Sequence, residues 1–406
     1  MKLVIAEKPS VAMALASVLG ARTRKDGYVE GNGYIVSWCV GHLVGLCDAS
    51  EYDEKYKKWR YDDLPIVPEC WKHKVLEGTK KQFGILKKLM RDSKVDEVIC
   101  ATDAGREGEL IFRLVYEQAG CKKPMKRLWI SSMEEQAIKD GFASLKDGSC
   151  YDSLYQSALC RAKADWLVGI NASRLFSVLY NQNLKVGRVQ TPTLAMIVDR
   201  NQKIKEFTKE KYYMAHIKFD DMDAVTENFQ KKEDADKVAA ECQERMCEVE
   251  KDDVKEKTVR PPKLYDLTTL QREANRMFGY TAQQTLDAVQ EMYEQKLVTY
   301  PRTDSQYLTD EMGESTETLI QMLFGKMPYA EGLEYQPDVS KVLNSKKVSD
   351  HHAIIPTMEV AKADIGELKE RSRKILYLIS ARVLTATADP YIYESHKCQI
   401  NRRKLD

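Results

Sequence analysis

Short apolar runs that end in an acid and pass into amphipathic helices recur in the first third of the chain, and that alternation limits the fold more than any other feature. Residues 3–6 form a β-branched-rich run, followed by Glu7, Lys8, Pro9 and Ser10 and then an apolar stretch from Val11 to Leu19 closed by Gly20. This order predicts strand, turn and helix, with Pro9 at the helix start and Gly20 at its stop. A second strand is predicted over Tyr34–Val40 and a helix over Lys80–Met90, where Phe83, Leu86, Leu89 and Met90 share one face. A third strand, Glu97–Ala101, feeds an acidic, glycine-containing turn, a helix over Leu110–Tyr116 and a strand-like Arg127–Ile130. Strands alternating with helices predict a parallel, helix-covered sheet for residues 1–150.

Beyond residue 150 the pattern changes. From Tyr151 to Asn181 a stripe of Leu154, Ala158, Ala162, Trp166 and Ile170 recurs every four residues, as in a helix buried against other helices. A Gly187-Arg188 turn and a helix to Arg200 follow. Strict alternation over Tyr212–Phe219 predicts a half-buried strand, Lys231–Met246 a solvated charged helix, and Lys251–Lys263, with Pro261 and Pro262, a boundary. Leu267–Arg276 and Thr281–Glu294 read as two helices joined by a glycine turn, a helix-turn-helix unit whose second helix opens with a Thr281/Gln284 capping box. The alternating stretch near Tyr391 and Tyr393 has no partner visible in the sequence.

With 406 residues, 43% hydrophobic and 31% charged, the chain is long enough for two to four globular domains. Ten scattered Cys with no C-x-x-C spacing indicate neither a zinc ribbon nor a disulfide framework. A net charge of +1 leaves any polyanion site to local clusters. No apolar run approaches the roughly 18 residues of a membrane span, and the N-terminus lacks the layout of a secretory signal, so a cytoplasmic protein is expected.

In an open parallel sheet ligands bind beyond the carboxyl ends of the strands. Glu7 follows the first strand, and Asp103 and Glu107 follow the third, so three carboxylates from distant positions are expected to converge. Such oxygen ligands suit Mg²⁺, which retains waters that a phosphate can displace. The motifs IAEKPS at 5–10 and ATDAGREGE at 101–109 resemble the Toprim domain found in type IA topoisomerases, primases and some nucleases. The family's acidic D-x-D pair is broken here, with Gly105 in its second place. The resemblance therefore leaves Glu7, Asp103 and Glu107 as the metal candidates.

One tyrosine among 21 stands out by its neighbours. Pro301 stiffens the backbone beside Tyr300, and Arg302 places an always-charged donor fork two residues away, as a phenol attacking a phosphodiester needs. TYPRTDS at 299–305 resembles the active-site motif of type IA DNA topoisomerases, which join a 5′ phosphate of DNA to this tyrosine. The resemblance, nearest to the bacterial topoisomerase III branch, runs from residue 2 to about 395. It implies roles in catalysis for Tyr300, Arg302, Glu7, Lys8 and, from SDHHAIIPT at 349–357, for His351. It also implies that RAKADWLVGIN at 161–171 and VGRVQTPT at 186–193 hold single-stranded DNA through Arg161, Arg188, Gln190 and Thr191, with His42 contributing from the first domain. Arg161 and Asp165 equally fit a simple i, i+4 ion pair, and both roles stay open.

The implied architecture is a multidomain α/β plus α torus: a Toprim domain at 1–150, the first part of a helical gate domain at 151–210, the first part of a β-rich arch at 211–265, a helix-turn-helix domain with the tyrosine at 266–390, and a return into the arch at 391–406. The resemblance implies that the arch and gate domains are completed by residues beyond Asp406. It further implies ATP-independent relaxation or decatenation of DNA with Mg²⁺ as cofactor, DNA as the partner with a helicase as a possible second, and a monomer without membrane attachment. A strand-binding fragment unable to cut, and a Toprim nuclease or primase, are the alternatives; TYPRTDS argues against the latter.

Overall fold

The computed structural model describes every residue except 131, 132, 134, 220, 221, 244–246, 333–335, 349, 350 and 403–406. The chain forms two units, residues 1–188 with 261–389, and residues 189–260 with 390–406.

In the first unit β1 (Lys2–Ala6) leads into α1 (Pro9–Leu19), which Pro9 opens and Gly20 closes at φ +77°. Strands β2 (Thr23–Lys25), β3 (Tyr28–Gly31) and β4 (Tyr34–Trp38) follow, then β5 (Val44–Leu46) and β6 (His73–Val75), which pair with each other and bracket a long irregular segment. After these come α2 (Lys80–Arg91), β7 (Glu97–Ala101), α3 (Arg106–Ala119), β8 (Met125–Arg127), α4 (Glu135–Ala143), β9 (Lys146–Asp147) and the 29-residue α5 (Asp152–Tyr180). The sheet order is β2-β3-β4-β1-β7-β8-β9. Only β4, β1, β7 and β8 run parallel; β2, β3 and β9 are antiparallel edges, so the expected parallel sheet is the centre of a mixed one. Asp26-Gly27, with Gly27 at φ +79°, is a tight hairpin signal that the periodicity reading passed over.

Leu3 and Ile5 bury toward α2 and α3, while Val4 and Ala6 bury toward α1, so both faces of β1 are covered and its side chains read as a continuous apolar run. The register pairs Ala6 with Ala101, which ends β1 and β7 at one level. The strand expected at Arg127–Ile130 is displaced to Met125–Arg127. The stripe on α5 is fully buried only at Ala158. Trp166 is half-buried instead, and the far half of the helix supports the 47–72 segment, with Trp166 Nε1 donating to the Cys47 carbonyl at 2.9 Å.

The second unit holds α6 (Gln190–Lys205), the hairpin β10 (His216–Phe219) and β11 (Met222–Val225), α7 (Lys232–Cys242) and β12 (Cys247–Val259). The boundary predicted at 251–263 is therefore strand as far as Val259, and the chain leaves this unit at Pro261. The alternating stretch near Tyr391 does find a partner: β13 (Tyr391–Arg402) pairs antiparallel with β12 from Val259↔Tyr391 to Cys247↔Arg402.

Back in the first unit, α8 (Leu267–Phe278), α9 (Ala282–Glu294), α10 (Gly313–Lys326) and α11 (Glu370–Ala386) enclose a core that includes Leu270, Met292, Ile320, Leu376 and Ile379. The Thr281/Gln284 capping box is formed, with Thr281 Oγ1 accepting from Gln284 N at 3.1 Å and Gln284 Oε1 from Thr281 N at 3.0 Å. Thr299 then stitches the chain after α9 to the 353–355 stretch: its N–H donates to the Ile355 carbonyl at 3.0 Å and its hydroxyl to the Ala353 carbonyl at 3.1 Å. This stitching lays Tyr300 beside His351. Among the described residues no helix is long and apolar enough to cross a membrane.

Candidate active site

Level strand ends make the acidic part of the site. Glu7 and Asp103 emerge side by side, and the Asp103 N–H donates to Glu7 Oε2 at 3.3 Å. Burial and the neighbouring Asp103 charge push the Glu7 carboxyl up to about 7, with Lys8 opposing. Asp103 Oδ2 is buried with no hydrogen-bond partner among the described residues.

The loop that presents Asp103 is held from beneath. Arg127, fully buried, donates to the carbonyls of Thr102 and Asp103 at 2.7 Å each, and to those of Cys100 and Leu128. Its charge is met by Glu109 at 3.0 Å, and Glu109 also accepts from Arg113 Nε at 2.8 Å. Thr102 Oγ1 donates to the Gly108 carbonyl at 2.8 Å, which folds the loop back onto the first turn of α3. That turn requires glycine: a Cβ at Gly108 would lie 2.1 Å from the Asp103 carbonyl oxygen. Gly108→Ala is expected to force the Asp103 loop away, costing about 1–3 kcal/mol of stability. Calorimetry and strand-cleavage assays check this, with cleavage falling more than strand binding.

Tyr300 approaches the same acids from the second half of the chain. Its ring stacks at 4.3 Å on His351 and meets Tyr293 edge-on at 5.3 Å, and only 8% of the residue is exposed. Burial first, and then Asp103 and Glu7, push the phenol well above its ordinary value, against a smaller opposite effect of Arg302. Burial pulls His351 down to about 4, so its imidazole is neutral at physiological pH. Glu7, Asp103, Tyr300, Arg302 and His351 line one cleft of about 750 Å³, together with Lys8, His42 and Arg161.

One candidate ligand has a local partner, and one ion pair that the spacing allows is not formed. Glu107 lines the cleft but turns to His42, its Oε1 lying 2.6 Å from Nε2, and the hydrogen bond holds its carboxyl low. Among the described residues no three His, Cys, Asp or Glu side chains gather as a metal cage. The Arg161–Asp165 ion pair is not formed either: Asp165 pairs with Arg188 Nε at 2.6 Å, and Arg161 faces the cleft. Gln190 and Thr191 lie in the second unit, at the exposed start of α6. Ser349 and Asp350 of the 349–357 motif lie outside the described residues. Sequence reasoning missed Arg127, Glu109 and Tyr293. The signal for the first was a cation within an otherwise strand-like stretch, which burial requires to be paired.

The residues present suit a divalent cation. Two adjacent carboxylates repel each other, one is held partly protonated near neutrality, and one buried oxygen has no partner; a hard cation would relieve all three.

A family model described as DNA topoisomerase matches residues 149–405, and a Toprim domain model matches residues 2–133. The chain belongs to the DNA topoisomerase family. It is 45% identical over 399 residues to DNA topoisomerase 3 of Shouchella clausii, covering 94% of this chain and 54% of that protein. To DNA topoisomerase 3 of Bacillus cereus it is 44% identical over 412 residues, 96% of this chain and 55% of that one. The chain thus spans about half the length of these curated relatives. Full-length topoisomerase I from Thermotoga maritima superposes with a TM-score of 0.70 at 25% identity, over 99% of this chain and 66% of that one. These likenesses bear out the family assignment and the mixed α/β fold expected from the motifs.

Proposed function

We propose that the chain carries the strand-cutting centre of a type IA DNA topoisomerase, in which Tyr300 forms a transient 5′-phosphotyrosine with single-stranded DNA. The observation that carries this reading is the meeting of Tyr300 with Glu7 and Asp103 in one cleft, although 196 or more residues separate the phenol from either acid. The Tyr300 oxygen attacks phosphorus, the bond to the 3′ oxygen breaks, and the departing oxygen takes up a proton. It is the proton that the Tyr300 phenol gives up on attack, and Lys8 and Glu7 are the cleft groups suited to relay it from one oxygen to the other. Arg302 and Lys8 balance the charge that builds on the non-bridging oxygens. His351, neutral against the Tyr300 ring, fixes the phenol and offers a hydrogen bond to the phosphate. Glu7 and Asp103 would hold Mg²⁺, whose bound form neutralises phosphate charge. Because the ester to Tyr300 conserves the energy of the broken bond, reversal reseals the strand without ATP.

Around this centre we assign Toprim, gate, arch and helix-turn-helix domains at 1–150, 151–210, 211–265 and 266–390, the arch being rejoined at 391–406. Arg161, which lines the cleft, and Arg188, Gln190 and Thr191 hold the strand. The complete cycle, relaxing negative supercoils or decatenating, belongs to a protein of the relatives' length acting on DNA in the cytoplasm, with a helicase as a possible partner.

Incubation with an end-labelled single strand and Mg²⁺, followed by denaturation, tests the reading. Wild type is expected to give a covalent adduct and Tyr300→Phe none, while both shift the strand in a native gel. A shift without any wild-type adduct would leave a strand-binding protein that does not cut.

A further inference from the structure

Tyr293 has no step in the chemistry above, although it touches the residue that performs it. The two tyrosines are brought together by the way α9 ends. Lys296 sits at φ +65°, the left-handed conformation that turns the chain back at a helix end. Lys296 N donates to the Tyr293 carbonyl and Leu297 N to the Met292 carbonyl, both at 2.9 Å, the paired hydrogen bonds of a Schellman cap. Leu297 and Met292 lie in the same buried core, which fixes the turn from inside. The chain then doubles back, and Thr299, tied to the Ala353 carbonyl, delivers Tyr300 to the side of Tyr293.

Aromatic rings bound Tyr300 in two directions. The His351 ring lies 4.3 Å away at 36°, and the Tyr293 ring stands at 81° with its centroid 5.3 Å away. An edge-to-face pair constrains tilt as well as distance. Beside the three rings is a cavity of about 10 Å³, also walled by Leu15, Leu128 and Ile130, which has room for one water and none for an aromatic ring. Tyr300 therefore has no space to turn into while Tyr293 stands there. Burial first, and then Asp103, push the Tyr293 phenol well above its ordinary value, so it stays protonated. Its hydroxyl makes no hydrogen bond among the described residues.

We infer that Tyr293 is a positioning residue for strand cutting: its ring holds the Tyr300 ring so that the phenol oxygen faces the paired acids, and its own hydroxyl takes no part. The inference rests on the strand-cutting reading for the step that is positioned. Misplacing a reacting atom by about 1 Å through a group outside the chemistry costs roughly 100-fold in rate. Tyr293 does not line the 750 Å³ cleft, so strand binding does not depend on it.

The test follows adduct formation in a single turnover with Mg²⁺ against the concentration of an end-labelled single strand, which reads the saturating rate and the half-saturating concentration separately. Tyr293→Leu and Tyr293→Met fill the site without a ring, and denaturant titration shows which of them folds. In a folded ringless variant the saturating rate is expected to fall about 100-fold while the half-saturating concentration keeps its wild-type value. Tyr293→Phe brings back the ring without the hydroxyl and is expected to rescue the rate. A wild-type rate in a ringless variant would overturn the inference. So would a Tyr293→Phe rate as low as the ringless one, which would assign the effect to the hydroxyl, or a change confined to half-saturation, which would make Tyr293 a strand contact. Each of those results leaves the wild-type adduct, and with it the cutting centre, in place; absence of the wild-type adduct would remove both.

Discussion

Asp103→Asn is expected to lower the yield of covalent strand adduct by about 100-fold or more, the scale on which removing one preorganised electrostatic group acts. It should also change how stability depends on pH. Glu7 has a folded value of about 7 against an ordinary 4.5, raised by burial first and by Asp103 second. The fold therefore favours its protonated form. Stability from this group is full below about 4.5 and declines as pH rises to about 7. With Asn at position 103 the repulsion disappears, burial remains, and the decline becomes smaller and ends at a lower pH. Mg²⁺ acts on the same pair in the opposite sense: it favours the ionised carboxylates, so it should raise the melting temperature of wild type more at pH 8 than at pH 5.5. Calorimetry across that range, with and without Mg²⁺, gives the answer. An equal Mg²⁺ response in wild type and Asp103→Asn would place the cation elsewhere.

Arg127→Met is expected to cost about 3 kcal/mol or more, the range for breaking a buried ion pair from one side. Glu109, 1% exposed, keeps Arg113 but loses its second cation, and the carbonyls of Thr102 and Asp103 lose their donor. Because those carbonyls belong to the acid-bearing loop, cleavage should fall further than stability alone explains. Arg127→Met combined with Glu109→Met is expected to regain part of the stability, since no unpaired charge remains, but not the cleavage, since the loop is still unsupported. Denaturant titration and adduct assays separate the two. Recovery of cleavage in the double variant would show that Arg127 does not position Asp103.

The reach of the sequence is visible residue by residue. β1, α1, α2 and β7 were legible because their apolar periods and stop signals are local, and Pro9, Gly20 and the Thr281/Gln284 box act within a few residues of themselves. The level ending of β1 and β7, which brings Glu7 to Asp103, follows from strand order and register, and these depend on partners almost a hundred residues away. The segment at 47–72 and the turn of Glu107 toward His42 have no periodic signal at all; each is settled by which side chain lies opposite in space. Arg188 shows the same limit: the four-residue spacing suggested Arg161 for Asp165, and the fold supplied Arg188 from 23 residues on.

The central claim is that one phenol among 21 reaches the paired acids and becomes the point of attachment. Proteolysis of the denatured adduct and mass measurement of the nucleotide-bearing peptide test it most directly. The account predicts that the nucleotide is carried through its 5′ phosphate on the peptide containing Tyr300; a nucleotide on a different tyrosine, or one attached through its 3′ end, would contradict it.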